Sequence, residues 1–270
     1  MAERPVVTPP VPPPGLPRPA LDSHTHLDMI DVPIPDVLAA ARSAGIARVV
    51  TVGTDVRSSR WSAERAEEHD GVYAAVAIHP NEVAAVPAGA VAEIEALARR
   101  PRVVAVGETG LDYYRDHAPP ELQRWWFREH IAIAKRTGKA LMIHDRDAHA
   151  DVLRILEEEG PPPHVVFHCF SGDVAMVKSC AEAGYVMSFA GNVTFANAQP
   201  LRDAAAAAPP DLLLAETDAP FLTPVPYRGR PNSPAMTAYT LRCLAEVKGM
   251  ALADLCDAVT ATAERTFGPW

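Results

Sequence analysis

Short apolar, β-branched runs alternate along the chain with longer stretches whose apolar residues recur every three or four positions. The short runs, at residues 21–24, 47–52, 72–78, 103–106, 141–143, 165–167, 185–189 and 212–215, predict strands. The amphipathic stretches, at 35–44, 58–69, 91–100, 121–137, 148–159, 173–183, 199–208, 234–248 and 252–266, predict helices. In 121–137, Leu122, Trp125, Trp126, Ile131 and Ile133 fall mostly on one side, and Gly138 supplies a stop. Strand then helix, eight times over, implies parallel strands joined by right-handed crossovers. Eight such units close naturally into a (β/α)₈ TIM barrel. The competing arrangement is an open doubly wound sheet, which is disfavoured because no glycine-rich phosphate loop follows the first strand.

The 270 residues suit a single barrel domain. Residues 1–19 hold eight prolines, so they are expected to form a flexible or polyproline-II tail ahead of one domain over 20–270. No apolar run approaches the roughly 20 residues that span a bilayer, and the first residues lack the apolar stretch of a secretory signal. The expectation is a cytoplasmic protein with no membrane contact, no obligate protein partner and a monomeric state. Cys169, Cys180, Cys243 and Cys256 form no CxxC pair and read as reduced core thiols. A net charge of −9 argues against broad, charge-driven binding to duplex DNA. Nucleic acid stays open as a substrate, because bound cations attract phosphates locally.

Barrels of this kind build their active sites at the C-terminal ends of the strands. There the chain carries Asp22-Ser23-His24-Thr25-His26, His79-Pro80, Gly107-Glu108-Thr109-Gly110, His144-Asp145-Arg146, His168-Cys169-Phe170-Ser171-Gly172 and Glu216-Thr217-Asp218. Metal-ligand residue types thus follow six of the eight strands at the same end. His24 and His26 are two apart on an extended strand, so both imidazoles face one ion. A two-metal site needs a bridging anion to offset repulsion between the ions. None of the chain's four lysines stands at a strand end, which leaves Glu108 as the bridge. His144 and His168 suit a second ion. Asp218 can bind the first ion and accept the proton of an attacking water. The mixed donor set suits zinc, manganese, nickel or iron, with magnesium less expected because it prefers oxygen.

His79 reads as a substrate contact or a support for the ligands. Arg146 and Arg228 are candidates for holding a phosphate. His69, His117, His130, His149 and His164 fall on helices or in polar loops and read as surface residues. Trp125 and Trp126 read as packing residues rather than base-stacking ones.

Residues 22–28 (DSHTHLD), 78–80 (IHP), 107–113 (GETGLDY), 143–147 (IHDRD), 168–172 (HCFSG) and 216–222 (ETDAPFL) together resemble the TatD-related metal-dependent deoxyribonucleases of the amidohydrolase superfamily. The resemblance implies a TIM barrel, two divalent ions, and ligand roles for His24, His26, Glu108, His144, His168 and Asp218. It also implies hydrolysis of phosphodiester bonds in DNA, as a 3′–5′ exonuclease, by a metal-bridging hydroxide. One departure is Gly229-Arg230-Pro231-Asn232-Ser233-Pro234, where the family often has glycine, arginine or lysine, asparagine, glutamate and proline. The alternative reading from the same residues is hydrolysis of an ester or amide, such as an aminoacyl ester or a lactone, since a polarised carbonyl needs similar ligands.

Overall fold

The computed structural model describes residues 10, 11, 13–268 and 270. Eight strands lie side by side in chain order, every neighbouring pair parallel: β1 (Ala20–Thr25), β2 (Ile46–Val52), β3 (Val72–Val76), β4 (Val103–Asp112), β5 (Ala140–Arg146), β6 (Val165–Phe167), β7 (Val186–Phe189) and β8 (Leu213–Ala215). The helices that cross back over them are α1 (Ile34–Ser43), α2 (Val56–Glu68), α3 (Ala90–Ala98), α4 (Pro120–Thr137), α5 (His149–Glu159), α6 (Val174–Ala183) and α7 (Gln199–Ala207), with α8 (Thr237–Lys248) and α9 (Leu252–Phe267) following β8. The predicted (β/α)₈ barrel is the observed fold.

Most strand residues are buried on both faces, as parallel strands under a ring of helices must be. This is why they read as continuous Val, Ile, Leu and Ala runs rather than alternating ones. The seam between β8 and β1 is closed by Asp218 N–H donating to His24 O (2.9 Å), His26 N–H donating to Ala219 O (2.8 Å) and a Thr25–Ala219 bridge. The closing contacts therefore run through the segments that carry the chemistry.

Most element ends shift by a few residues at most, and three boundaries bear on the site or on the tail. β4 does not stop at Val106 but pairs with β5 as far as Asp112–Arg146, after a register shift between Val106 and Thr109. Glu108 is thus held inside a strand and not at a loop start. Gly110 makes the pairing possible: at φ 131° a side chain is strained, and a Cβ would lie 2.1 Å from His144 O. Residues 234–236 form a single 3₁₀ turn, and α8 begins at Thr237. The expected 1–19 tail lies partly outside the described residues, but its end is docked. Leu16 N–H donates to Ala44 O (3.0 Å), and Arg242 Nη2 donates to Pro14 O (2.8 Å).

Two side chains on α4 reverse the sequence reading. Trp125 is 48 % exposed, whereas Trp126 and Phe127 are buried. His130, expected at the surface, is fully buried and joins the segment after β3 to the middle of β4. Ile78 N–H donates to its Nε2 (3.2 Å), so its Nδ1 carries the proton and donates to Thr109 Oγ1 (2.7 Å). Burial with no compensating charge pushes the His130 pKa down to about 3.

Candidate active site and metal centre

The strand ends deliver His24, His26, Glu108, His144, His168 and Asp218 to one point at the mouth of the barrel, as the alternation of elements implied. His24 and His26 approach each other through their Nε2 atoms (3.3 Å), and the His24 ring stacks on that of His168 with centroids 3.9 Å apart. Three sets of donor atoms each fall within 4.8 Å of one another: His24–His26–Glu108, His24–His168–Asp218 and His79–Glu108–His144. The cleft above them has a volume of about 510 Å³.

Glu108 stands between two groups of imidazoles and shows each a different oxygen. Its Oε2 lies 3.5 Å from His24 Nε2 and 3.8 Å from His26 Nε2. The Asp218 Oδ1 faces the same two nitrogens, at 3.7 and 3.5 Å. The other carboxylate oxygen, Oε1, lies 2.7 Å from His168 Nε2, 2.8 Å from His144 Nδ1 and 3.4 Å from His79 Nε2.

The backs of the rings are held by groups that can only accept. His26 Nδ1 meets Val52 O (3.0 Å), His24 Nδ1 meets Met142 Sδ (3.2 Å), His168 Nδ1 meets Glu216 Oε1 (3.1 Å), and His144 Nε2 meets Asp112 Oδ2 (3.2 Å). With a cation between the rings and Glu108, these nitrogens would carry the proton and the opposite nitrogens would turn their lone pairs to the metal. This is the arrangement by which proteins fix the tautomer of ligating histidines. Four lone pairs and two carboxylates on a shared centre fit divalent cations.

The buried carboxylates and imidazoles shift one another's pKa values. Burial alone would raise the pKa of Glu108, but the surrounding His168, His79 and His144 more than reverse it and hold the group well below the usual carboxylate range. Asp218 is lowered likewise, against burial, by His26, His24 and His168. Burial opposes charge on His26 too, yet Asp218, Glu108 and the Val52 carbonyl lift its pKa to about 8. Two carboxylates are thus kept ionised inside a cluster rich in imidazole.

The sequence reading gave no role to Asp112, Glu216, Asp22 or Asn232. Asp112 accepts from His144, from Asn81 Nδ2 (3.0 Å) and from the backbone of Tyr114 and Arg115, which together outweigh burial and depress its pKa. Glu216 Oε1 also accepts Cys169 N–H (2.9 Å). Asn232 Nδ2 donates to the carbonyls of Thr217 and Phe221. The changed residues 229–234 thus keep an asparagine that pins the chain after β8. Asp112 and Glu216 stand in the same motifs as Glu108 and Asp218, which was the available signal.

Of the expected substrate contacts, His79 and Arg146 line the cleft, and the Arg146 guanidinium lies 4.9 Å from the centre of the Tyr114 ring. Arg228 is absent from the described lining and sits over Phe195 instead, at 4.3 Å. His117, expected on an indifferent surface, borders the cleft. Cys169 is not a core thiol, since it also lines the cleft; all four cysteines are unpaired.

A parallel barrel with this cluster at its C-terminal mouth defines a metal-dependent hydrolase. The chain belongs to the family described as TatD related DNase, whose model matches residues 21–268. It is 46 % identical to a metal-dependent hydrolase, TatD, of Mycobacterium tuberculosis, over 92 % of this chain and 97 % of that one. It is 38 % identical to the metal-dependent hydrolase YcfH of Escherichia coli K12, over 92 % and 95 %. Among solved structures, the TatD homologue YjjV of Escherichia coli K12 superposes with a TM-score of 0.86 at 28 % identity, covering 93 % of this chain and 98 % of that one. Among the described residues no helix is long and apolar enough to cross a membrane.

Proposed function

We propose that the protein is a deoxyribonuclease that removes nucleotides from the 3′ end of DNA by hydrolysing phosphodiester bonds. The observation that carries this reading is the division of Glu108, one oxygen towards His24 and His26 and the other towards His144 and His168. His24, His26 and Asp218 would hold one divalent ion, His144 and His168 a second, and Glu108 would bridge them. Zinc, manganese, nickel, iron and magnesium are the candidates. When bound, such ions supply Lewis acidity, making water more acidic and offsetting charge around phosphorus. The family's description as DNases points to the phosphodiester. Arg146 points the same way, because a guanidinium two residues after His144 can grip a phosphate that enters the cleft.

In this scheme Asp218 takes the proton of the water that attacks phosphorus. The bond from phosphorus to the 3′-oxygen of the penultimate nucleotide breaks, and that oxygen leaves with a proton. The products are a nucleoside 5′-monophosphate and a strand with a new 3′-hydroxyl. The monomer is taken as the working unit. Four unpaired cysteines favour action in the cytoplasm.

The test is a side-by-side assay of metal-loaded protein on end-labelled single-stranded DNA, a phosphodiester model compound, and aminoacyl and lactone esters. Shortening from the 3′ end is expected, and Glu108→Gln and Asp218→Asn should reduce it to background. Turnover of the esters with intact DNA would instead assign the same centre to ester or amide hydrolysis.

A further inference from the structure

Five imidazoles surround Glu108, and one differs from the rest in what stands behind it. His24, His26, His144 and His168 each turn one nitrogen to a thioether, carbonyl or carboxylate, groups that can only accept. His79 has the reverse arrangement. Its Nδ1 accepts the backbone N–H of Asn81 at 3.0 Å, and a backbone amide can only donate. In the neutral ring the proton must therefore sit on Nε2, the nitrogen that faces the cleft 3.4 Å from Glu108 Oε1.

The turn that imposes this is fixed at several points. His79 N–H donates to Thr54 O (2.8 Å), and Glu82 N–H donates back to His79 O (2.8 Å). The Asn81 side chain donates to Asp112 Oδ2, the atom that also accepts His144 Nε2–H, so the turn is tied to a neighbouring imidazole. The His79 and His144 rings meet edge to face with centroids 4.5 Å apart. Proximity alone would make His79 a fifth nitrogen ligand, since it forms a compact group with Glu108 and His144. The backbone of Asn81 argues against that, because a protonated nitrogen has no lone pair to give a metal.

We infer that His79 is a neutral hydrogen-bond donor to the substrate, its Nε2–H aimed at the oxygen on which negative charge develops, and not a metal ligand. That oxygen is a non-bridging phosphoryl oxygen in a phosphodiester and the carbonyl oxygen in an ester or amide. The inference rests on the metal-dependent hydrolase reading of the site but not on the choice of substrate. Such donors act in the transition state more than in the ground state, so their loss falls on kcat.

The test compares wild type, His79→Ala and His79→Gln. Metal counted by elemental analysis should be the same in all three. With the substrate that wild type turns over, His79→Ala should lose roughly 10²–10³-fold in kcat with KM little changed. His79→Gln, whose amide can place an N–H near the same point, should recover part of the loss. In zinc-loaded protein with nitrogen-labelled histidine, the spectrum should show His79 protonated on Nε2, and the four other rings metal-bound. A lost ion in His79→Ala, a His79 ring protonated on Nδ1 with Nε2 on zinc, or an unchanged kcat would overturn the inference. The metal count and the spectrum need no turnover, so they read His79 even if DNA proves not to be the substrate.

Discussion

Asp22 and Thr217 are 195 residues apart and are joined twice: Asp22 Oδ1 accepts Thr217 N–H at 2.9 Å, and Oδ2 accepts Thr217 Oγ1–H at 2.5 Å. The pair is fully buried and lies across the seam between the first strand and the last. Each partner is close in sequence to a candidate ligand, His24 on one side and Asp218 on the other. The contact thus ties the first strand to the segment after the last, close to a candidate ligand on each.

Removing the acceptor strands three buried donors, the Thr217 N–H and Oγ1–H and the His24 N–H. Asp22→Ala is expected to destabilise the fold by about 3 kcal/mol, read by chemical denaturation, because unpaired buried donors cost about 1–3 kcal/mol each. Burial raises the Asp22 pKa well above its ordinary value, so the site suits a neutral acceptor. Asp22→Asn should therefore lose far less stability. If the two variants were equally unstable, the acceptor role would be wrong.

Asp112 and Glu216 should matter through the rings they hold. Asp112→Asn and Glu216→Gln remove the negative charge behind His144 and His168 while keeping a hydrogen-bonding oxygen. Each is expected to weaken one ion and spare the other, by roughly 10-fold or more in affinity, since outer partners of ligating histidines contribute about 10–100-fold. Competition with a chelator of known affinity measures this. Equal weakening of both ions would contradict the proposed division of ligands.

Arg146 and Arg228 separate on position. Arg146→Ala should raise KM for DNA by roughly 10–100-fold, the equivalent of one charged hydrogen bond of about 1.5–3 kcal/mol. Arg228→Ala should leave KM within about twofold, since its guanidinium packs on Phe195 away from the cleft lining. A steady-state comparison of the two variants decides it.

His130 gives the fold an acid sensitivity. Its pKa is about 3 in the folded protein against 6.5 for a free imidazole, so the unfolded chain binds the extra proton first as pH falls. Stability from this group is complete above about pH 6.5 and declines below it, by about 1.4 kcal/mol per pH unit. Between pH 7 and pH 5 wild type should lose about 2 kcal/mol relative to His130→Gln, which cannot titrate. Parallel denaturation of the two proteins at both pH values measures the gap, and a gap that widened on acidification would reverse the sign.

The sequence by itself determined the barrel and the six residues at its mouth. Both follow from local rules. Apolar runs of strand length alternate with helical periods, and a parallel sheet built that way presents every strand's end on one side. The His24 and His26 pair, Glu108, His144, His168 and Asp218 could be placed without knowing any distance, because each follows its own apolar strand. What the pattern could not supply was anything that depends on two distant segments meeting. Periodicity put Trp125 inside and His130 outside, whereas the packing of α4 against β4 exposed the first and buried the second. Arg228 lies near the last ligand in sequence, but after β8 it sits over Phe195 and is absent from the described cleft lining. The partners that choose each imidazole's protonated nitrogen come from other strands, as Val52, Met142 and Glu216 do. Asn81 is the exception, lying two residues from His79, yet only the closed barrel gives its amide a consequence, by turning the opposite nitrogen towards Glu108.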